Sequence, residues 1–571
     1  MAHTVRAAFR RGADVADWRI LCPLAFGVAY LAAVFAQFTQ LVAVTYLNGD
    51  AASAPVIGEL FGGSPAHREV VLGKMAWFST LLFELATRWL PAHRQIWETT
   101  PYALALLSAG LLAWGAWQVA GRWAATITGV IALCASPATL SWLFSLNDHS
   151  PDWFCNALLA SLLILLGRSE TRWGGRPLIA AGVGVGIIVG VNLASDPLVA
   201  VGGVLPFLLA ALVTWGRRSP RWRTRPLLLA GGSLAVMAIV YALTKLLMHH
   251  ENVVSSTAQN NTTFAGAEQI TSNFKFWWQS IVALGGGSFF GQAVGLTSVL
   301  ELACAVLALG AVILIAPRVA WREASRAFAP IVSGDSAGEA PDSRIRLTGG
   351  PIAAGRETDS PDSPIGGDRR VAWCVFWGSS LIFLSLAFVV SSVPVEIYDD
   401  RYLVGLIYAA AALLPLAATH SYRRQAAVVA GTSVFAFTGL LGLLEGRATE
   451  NTAHWPAGHL DGQVMAIARR EHLSIGYAGY WDAATITWGT HLAVKVFPLA
   501  TCGNQYCLFY EHYISSWYTP RPGIRTFLLA DSAVALSTPY LPQLGKPSAV
   551  YSIGQLTMYV FPYDIASRIG K

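Results

Sequence analysis

Long apolar runs separated by short polar connections fill the chain as far as Leu444, and the rhythm changes abruptly after it. A helix needs about 20 apolar residues to cross the hydrocarbon core, because each residue rises about 1.5 Å. Eleven stretches fit: Ile20 to Val44, Pro101 to Ala120, Trp123 to Phe144, Trp153 to Leu166, Pro177 to Leu193, Pro197 to Trp215, Pro226 to Met248, Ala293 to Ala316, Val371 to Val393, Tyr402 to Ala418 and Ala426 to Leu444. The fourth and fifth are the shortest. A twelfth run, Val70 to Leu90, carries Lys74, Glu84 and Arg88, each costing about 2.5–3.5 kcal/mol near a bilayer centre. It is expected to be an amphipathic helix lying on the outer surface.

After Glu445 the pattern predicts an amphipathic helix near Asp461 to Glu471. Strand-like runs follow, "SIGYAGYW", "AVKVFPLA", "RTFLLA" and "LTMYVFPY", separated by Gly, Pro and Asp. The expected fold is a polytopic α-helical membrane protein of about 11 transmembrane helices with a small C-terminal extracytoplasmic α/β domain. Its divisions are residues 1–19 (cytoplasmic N-terminus), 20–444 (helical bundle) and 445–571 (outer domain). Within the bundle, 47–100 is a first outer loop with surface helices. Residues 317–370, rich in Ser, Pro, Gly and Asp, read as a disordered cytoplasmic insertion.

Composition agrees with a lipid-solvated chain: 54% hydrophobic and 13% charged over 571 residues, against about a quarter charged in soluble domains. That excludes a disordered chain, a disulfide-dense secreted module and an ordinary cytosolic enzyme. The +6 formal charge is too mild to argue for nucleic acid. Its distribution sets the orientation. With the N-terminus inside, the cytoplasmic segments hold 23 Lys and Arg, while the short outer loops after the first hold almost none. The expected topology is N-in and C-out, in a cell inner or plasma membrane.

Five of the seven cysteines fall within spans, where they act as small apolar residues. Cys502 and Cys507, in "TCGNQYC", are the pair in the outer domain, and a disulfide is expected there.

Polar residues are costly at membrane depth, so those at span ends draw attention. The outer ends gather acids and histidines: Asp50 in "TYLNGDAAS", Asp148, His149 and Asp152 in "SLNDHSPDW", Asp196 in "NLASDPL", His249, His250 and Glu251, and Glu396, Asp399, Asp400 and Arg401 in "VEIYDDRYL". Asp152 and Asp196 equally suit the positive ends of helices as caps. Asp50 follows Asn48 and Gly49, turn residues that can fix a carboxylate. Arg401 opens the tenth span, and its planar fork suits a phosphate as well as lipid headgroups. "GVGVGIIVG" sits inside a span, with Gly182, Gly186 and Gly190 four apart, the spacing of close helix packing rather than of nucleotide binding. There is no Walker lysine motif, zinc pair at helical spacing or G-x-S-x-G elbow.

A basic N-terminus, one span, a long outer loop opening at Asp50, a multispan bundle and a C-terminal outer domain together resemble the GT-C superfamily of membrane glycosyltransferases. The resemblance is greatest to its protein-mannosyltransferase and lipid A aminoarabinose-transferase branch. Asp50 stands at the first-loop position of that family's catalytic acid, with Asp148 and Asp152 matching the next loop more loosely. Here Asp50 is followed by Ala51 and Ala52 and so has no adjacent acid with which to bridge a metal; a divalent metal stays open as a cofactor.

The resemblance implies transfer of a sugar from a polyprenyl-phosphate donor to an acceptor hydroxyl on a glycan, lipid or protein. The reaction would take place at the outer face, with inversion, in cell-envelope assembly. Phosphate is a good leaving group that needs cationic stabilisation, whereas the hydroxyl needs a base. In that scheme Asp50 takes the acceptor proton. Arg401, with His249 or His250, holds the lipid phosphate, while Asp148, His149 and Asp152 position the acceptor; Asp399 and Asp400 join the substrate site. Two other classes compete: a transporter or flippase of a lipid-linked saccharide, and a non-catalytic glycan-binding scaffold. A transporter tends to show internal repeats and charges at mid-membrane. No repeat is evident here, and Lys245 is the lone basic residue within a counted span.

Overall fold

The computed structural model describes residues 17–45, 49–61, 70–72, 86–87, 89–91, 93–134, 139–140, 149–167, 175–216, 220–250, 252–255, 263–287, 295–328, 364–392, 394, 397–419, 421–445, 460–503, 505–509, 512–531, 540–554 and 556–570. Asp148, Glu251, Glu396 and the stretch 329–363 lie outside the described residues, as do the side chains of Asp50 and Asp399.

The helices run in chain order: α1 (Trp18–Ala36), α2 (Phe38–Thr45), α3 (Gly49–Phe61), α4 (His93–Ala120), α5 (Arg122–Leu133), α6 (Ser150–Leu166), α7 (Gly175–Ser195), α8 (Leu205–Trp215), α9 (Pro220–His250), α10 (Ala267–Leu284), α11 (Leu296–Leu309), α12 (Ala316–Phe328), α13 (Pro364–Val390), α14 (Val404–Ala418), α15 (Tyr422–Leu444), α16 (Leu460–Arg470) and α17 (Tyr480–Gly489). A π-helical stretch, Ala200–Val204, leads into α8, and another, Gly310–Ile315, fuses α11 to α12. Among the described residues eight helices are long and apolar enough to cross a membrane. The shorter apolar helices Arg122–Leu133, Ser150–Leu166 and Ala200–Trp215 coincide with three further apolar stretches of the sequence. Helix α12 and the first turns of α13 extend regular structure into both ends of the insertion expected to be disordered.

Helix α14 runs through the middle of the bundle, with most of its side chains buried between Val404 and Ala418. Trp373 from α13 anchors it by donating its indole N–H to the Ala412 carbonyl, 3.1 Å away. Helix α9 is peripheral, exposing Leu228, Ile239, Leu243 and Leu246, as a lipid-facing helix must. The glycine stripe sets the α7–α9 contact. A Cβ at Gly182, Gly186 or Gly190 would stand 2.6–2.9 Å from Ser233 Oγ, Val236 or the Met237 carbonyl, so only glycine lets these helices approach so closely.

The C-terminal domain carries a six-stranded sheet in the order β5-β4-β3-β7-β9-β8. Its strands are β3 (Ile475–Gly479), β4 (Lys495–Cys502), β5 (Gln505–Leu508), β7 (Thr526–Asp531), β8 (Ala549–Ile553) and β9 (Leu556–Phe561). β3 lies parallel to both β4 and β7, and α17 crosses between β3 and β4. Cys502 and Cys507 form a disulfide across the β4–β5 hairpin, with a Cα–Cα distance of 5.8 Å.

A second, three-stranded sheet ties distant parts together: β1 (Val70–Leu72) pairs with β2 (Val253–Ser255), which follows α9, and with β6 (Tyr513–Ile514) of the C-terminal domain. Val70 to Leu72, read from the sequence as the start of a surface helix, is therefore a strand, because two β-rich edges flank it. One apolar cluster joins Ile57 of α3, Val70, Ala194 of α7, Met248 of α9 and Val253 to Tyr477 and Trp517 of the sheet domain. The first loop, the ends of α7 and α9 and the C-terminal domain thus share one end of the bundle.

Candidate functional site

At that end, α6 starts where α7 finishes. His149 precedes α6 with φ of 66°, a left-handed conformation uncommon for a residue with a Cβ. Asp152 lies in the first turn of α6, and Asp196 follows α7. His149 Nδ1 is 3.0 Å from Asp152 Oδ2 and 2.5 Å from Asp196 Oδ2, with side-chain exposures of 1%, 2% and 6% for the three residues. Each carboxylate has its other oxygen fixed. Asn192 Nδ2, one turn before Asp196, donates to Asp152 Oδ1 at 2.6 Å, and the Leu198 N–H donates to Asp196 Oδ1 at 2.9 Å. Asp196 is at once a cap and a member of the cluster.

Burial disfavours a charged imidazole, yet the Asp196 and Asp152 carboxylates outweigh it and raise His149 to about 9. Burial likewise opposes charge on Asp196, and the His149 beside it holds that carboxyl below its usual range. The three side chains offer one ligand atom each within 4.8 Å of one another, and so are the described residues that can hold a divalent cation.

Four buried polar atoms in the first two turns of α6 have no hydrogen-bond partner among the described residues: His149 Nε2, Ser150 Oγ, Trp153 Nε1 and Asn156 Oδ1. An unmet buried polar group costs about 1–3 kcal/mol. The His149 ring meets the edge of Tyr402 at a centroid distance of 4.8 Å. Tyr402 belongs to a 3-10 turn, Ile397–Leu403, together with buried Asp400 and with Arg401, whose guanidinium carbon is 5.3 Å from the same ring. The chain just before α6 and the turn just before α14 therefore meet.

No family model matches the sequence, and no curated protein matches it. The chain has the fold of ArnT. Against ArnT from Cupriavidus metallidurans in the apo state the TM-score is 0.51 at 12% identity, covering 95% of this chain and 99% of that one. Against ArnT from the same organism bound to undecaprenyl phosphate it is 0.48 at 13% identity, with the same coverage. The likeness spans both the helical bundle and the C-terminal sheet domain, since 95% of the chain is covered.

Within that fold His149, Asp152, Asp400 and Arg401 come from the sequence candidates, and the structure gathers them around Tyr402. Asp50 is the second residue of α3, next to Gly49, whose Cβ would lie 2.9 Å from the Trp481 Cα of α17. His249 and His250 lie exposed on the last turn of α9 and are not members of the His149 cluster. Sequence reading missed Asn192 and Tyr402 altogether and left Asp196 divided between cap and site. The signal for Asn192 was its spacing of four from Asp196 at the end of an apolar run, which puts both on one helix face.

Proposed function

We propose that this protein is a membrane glycosyltransferase. It moves a sugar from a polyprenyl-phosphate donor to an acceptor hydroxyl at the extracytoplasmic face, with inversion, in cell-envelope glycan or glycolipid assembly. The observation that carries this reading is the buried His149–Asp152–Asp196 cluster beside the Arg401 turn, at the end of a GT-C-like bundle that also bears the C-terminal domain. A polyprenyl phosphate keeps its phosphate at the headgroup boundary, so its enzyme needs reactive groups at span ends.

Each residue then has a role. Asp50 is the base that takes the acceptor proton as the hydroxyl oxygen attacks the anomeric carbon. The bond from that carbon to the phosphate oxygen breaks, and Arg401 stabilises the charge left on phosphate. The cluster holds His149 by Nδ1 and leaves Nε2 to bond a substrate hydroxyl. Asn192 and Asp196 act through His149 and Asp152 as positioning residues. Asp148 and Asp399, next to His149 and Asp400 in sequence, are assigned to the substrate site on that adjacency alone.

The test uses purified protein in proteoliposomes with a labelled polyprenyl-phosphate sugar. Release of polyprenyl phosphate that is lost in Asp50→Asn and in His149→Gln supports the reading. Full activity in Asp50→Asn removes the assigned base. Movement of donor between leaflets without release points instead to a flippase, and binding alone to a scaffold.

A further inference from the structure

The sequence places residues 249–292 wholly outside the bundle, and the structure does not. Helix α10 begins level with the end of α13: the Ala265 N–H donates to the Val390 carbonyl, and Asn273 Nδ2 donates to the carbonyls of Val389 and Ser391 at 3.0 and 2.7 Å. Its far end is deep. A Cβ at Gly285 would stand 2.8 Å from Ala308 Cβ and 3.3 Å from Ala305 Cα, and one at Gly287 would meet Ala305 Cβ at 3.2 Å. Ala305 and Ala308 lie nine and twelve residues along the continuous helix that starts at Leu296, about 14–18 Å from its start.

An independent ruler agrees. Thr297 bonds Glu445 at 3.0 Å, aligning the start of α11 with the end of α15, and Leu307 approaches Gly431. Gly431 is 14 residues back along α15, about 21 Å. Half of a hydrocarbon core is about 15 Å. Gly295, the next described residue after Gly287, is back at the start of α11.

The backbone at the turn is satisfied internally, as any non-helical stretch at membrane depth must be. The N–H groups of Gly285, Gly286 and Gly287 donate to the carbonyls of Ile281, Ala283 and Val282, and Thr139 Oγ1 donates to the Leu284 carbonyl. Gly286 has φ of 95°, where a side chain is strained. The side-chain pattern follows the same depth: Ser280, Ile281 and Leu284 are buried in protein, whereas Lys275, ten residues and about 15 Å above Gly285, is exposed. Phe274, one residue above Lys275, is 57% exposed, and Trp278, seven residues and about 10 Å above Gly285, is 37% exposed; the next helix, which packs against α10, exposes Val299, Leu302 and Val306.

We propose that α10 is a re-entrant membrane helix. It enters from the end of the bundle that carries the His149 cluster, with Phe274 at the headgroup boundary, meets the acyl chains of that leaflet with Trp278, and turns back near the bilayer midplane at Gly285 to Gly287. Continuity with the lipid-facing side of α11 is what identifies the occupant of this face. Helix α10 also packs on the Ile397–Leu403 turn that bears Arg401. The proposal does not depend on the enzymatic reading.

The test places single cysteines in the full chain carrying Cys22→Ser, reconstituted in phosphatidylcholine vesicles. A spin label at Trp278→Cys should show high oxygen and low nickel-chelate contact, and one at Phe274→Cys should report the headgroup boundary, about 6 Å shallower by four helical residues. Ala267→Cys and Gly295→Cys should react with an impermeant maleimide from the same side. Equal, shallow, nickel-accessible labels at 274 and 278 would make α10 a surface helix and overturn the proposal. Reaction of 267 and 295 from opposite sides would make the segment a full span and overturn it too.

Discussion

Two buried aspartate sites in this molecule show opposite uses of the same chemistry. In the C-terminal domain, Asp564 is 5% exposed and its carboxylate is saturated. Oδ1 accepts from the Tyr477 hydroxyl and the Ala566 N–H, both at 3.0 Å, and Oδ2 accepts from the Arg521 N–H at 3.0 Å and its guanidinium at 3.3 Å. At the start of α6, Asp152 and Asp196 are as deeply buried and also well bonded, but the histidine they hold leaves Nε2 without a partner among the described residues. Saturation suits a structural anchor. Under the proposed function, the unmet edge of the His149 cluster is the group kept for a ligand.

This contrast can be broken in several ways. The largest expected effect is on turnover: His149→Gln should lower transfer by about 1,000-fold, within the range of a lost proton-handling or hydrogen-bonding catalytic group, with the fold intact by circular dichroism. If that variant instead unfolds at unchanged turnover per folded molecule, the cluster is structural. Next comes Asp564→Asn, expected to cost the C-terminal domain about 3 kcal/mol by leaving Arg521 and the Tyr477 hydroxyl mispaired. Limited proteolysis of that domain reads the loss, and turnover per folded molecule should stay unchanged.

The pH dependence sharpens the same contrast. His149 is raised from its ordinary 6.5 to about 9, so the stability it contributes is fully present below about 6.5 and is lost as pH rises through about 9. The melting-temperature gap between the parent and His149→Gln should shrink over that window, and a gap that is flat to pH 10 contradicts the ion pair. Smaller still, Thr487→Val should cost about 1 kcal/mol in thermal melts. It removes a hydroxyl that donates to Ala483 and Val496 carbonyls and accepts from the Val496 N–H. The smallest effect is expected for His249→Ala with His250→Ala, where transfer should change by no more than about twofold, as for exposed residues away from the cluster.

Much of the architecture was legible because both solvents act locally. The strands β3, β4, β7 and β9 fall on the runs around Tyr477, Phe497, Leu528 and Met558, where β-branched and aromatic residues sit between Gly and Pro. The short strand Val70 to Leu72 was not legible: its pairing partners are Val253 to Ser255 and Tyr513 to Ile514, and three apolar residues carry no period. Helix α10 was hidden for a related reason. Half of it is solvated by protein rather than lipid, so Asn273, Ser280 and Gln279 break the apolar run by which a span is recognised.

The candidate site divides in the same way. The acids and histidines at the span ends follow from the cost of placing charge in hydrocarbon, and so His149, Asp152 and Arg401 stood out as candidates. Which of them meet is decided by helix packing. Asp196 reaches His149 across 47 residues, and Tyr402 does so from a loop further still along the chain.

By itself, then, the sequence determined a lipid-solvated helical bundle, a sheet domain after it and polar chemistry confined to span ends, because burial in hydrocarbon constrains composition residue by residue. Only the tertiary structure decided that Asp196 and Asn192 complete the His149 cluster, that His249 and His250 stay outside it, and that α10 turns back inside the bundle. Those outcomes depend on glycine-mediated helix contacts and strand pairings between distant segments, whose geometry no local pattern encodes.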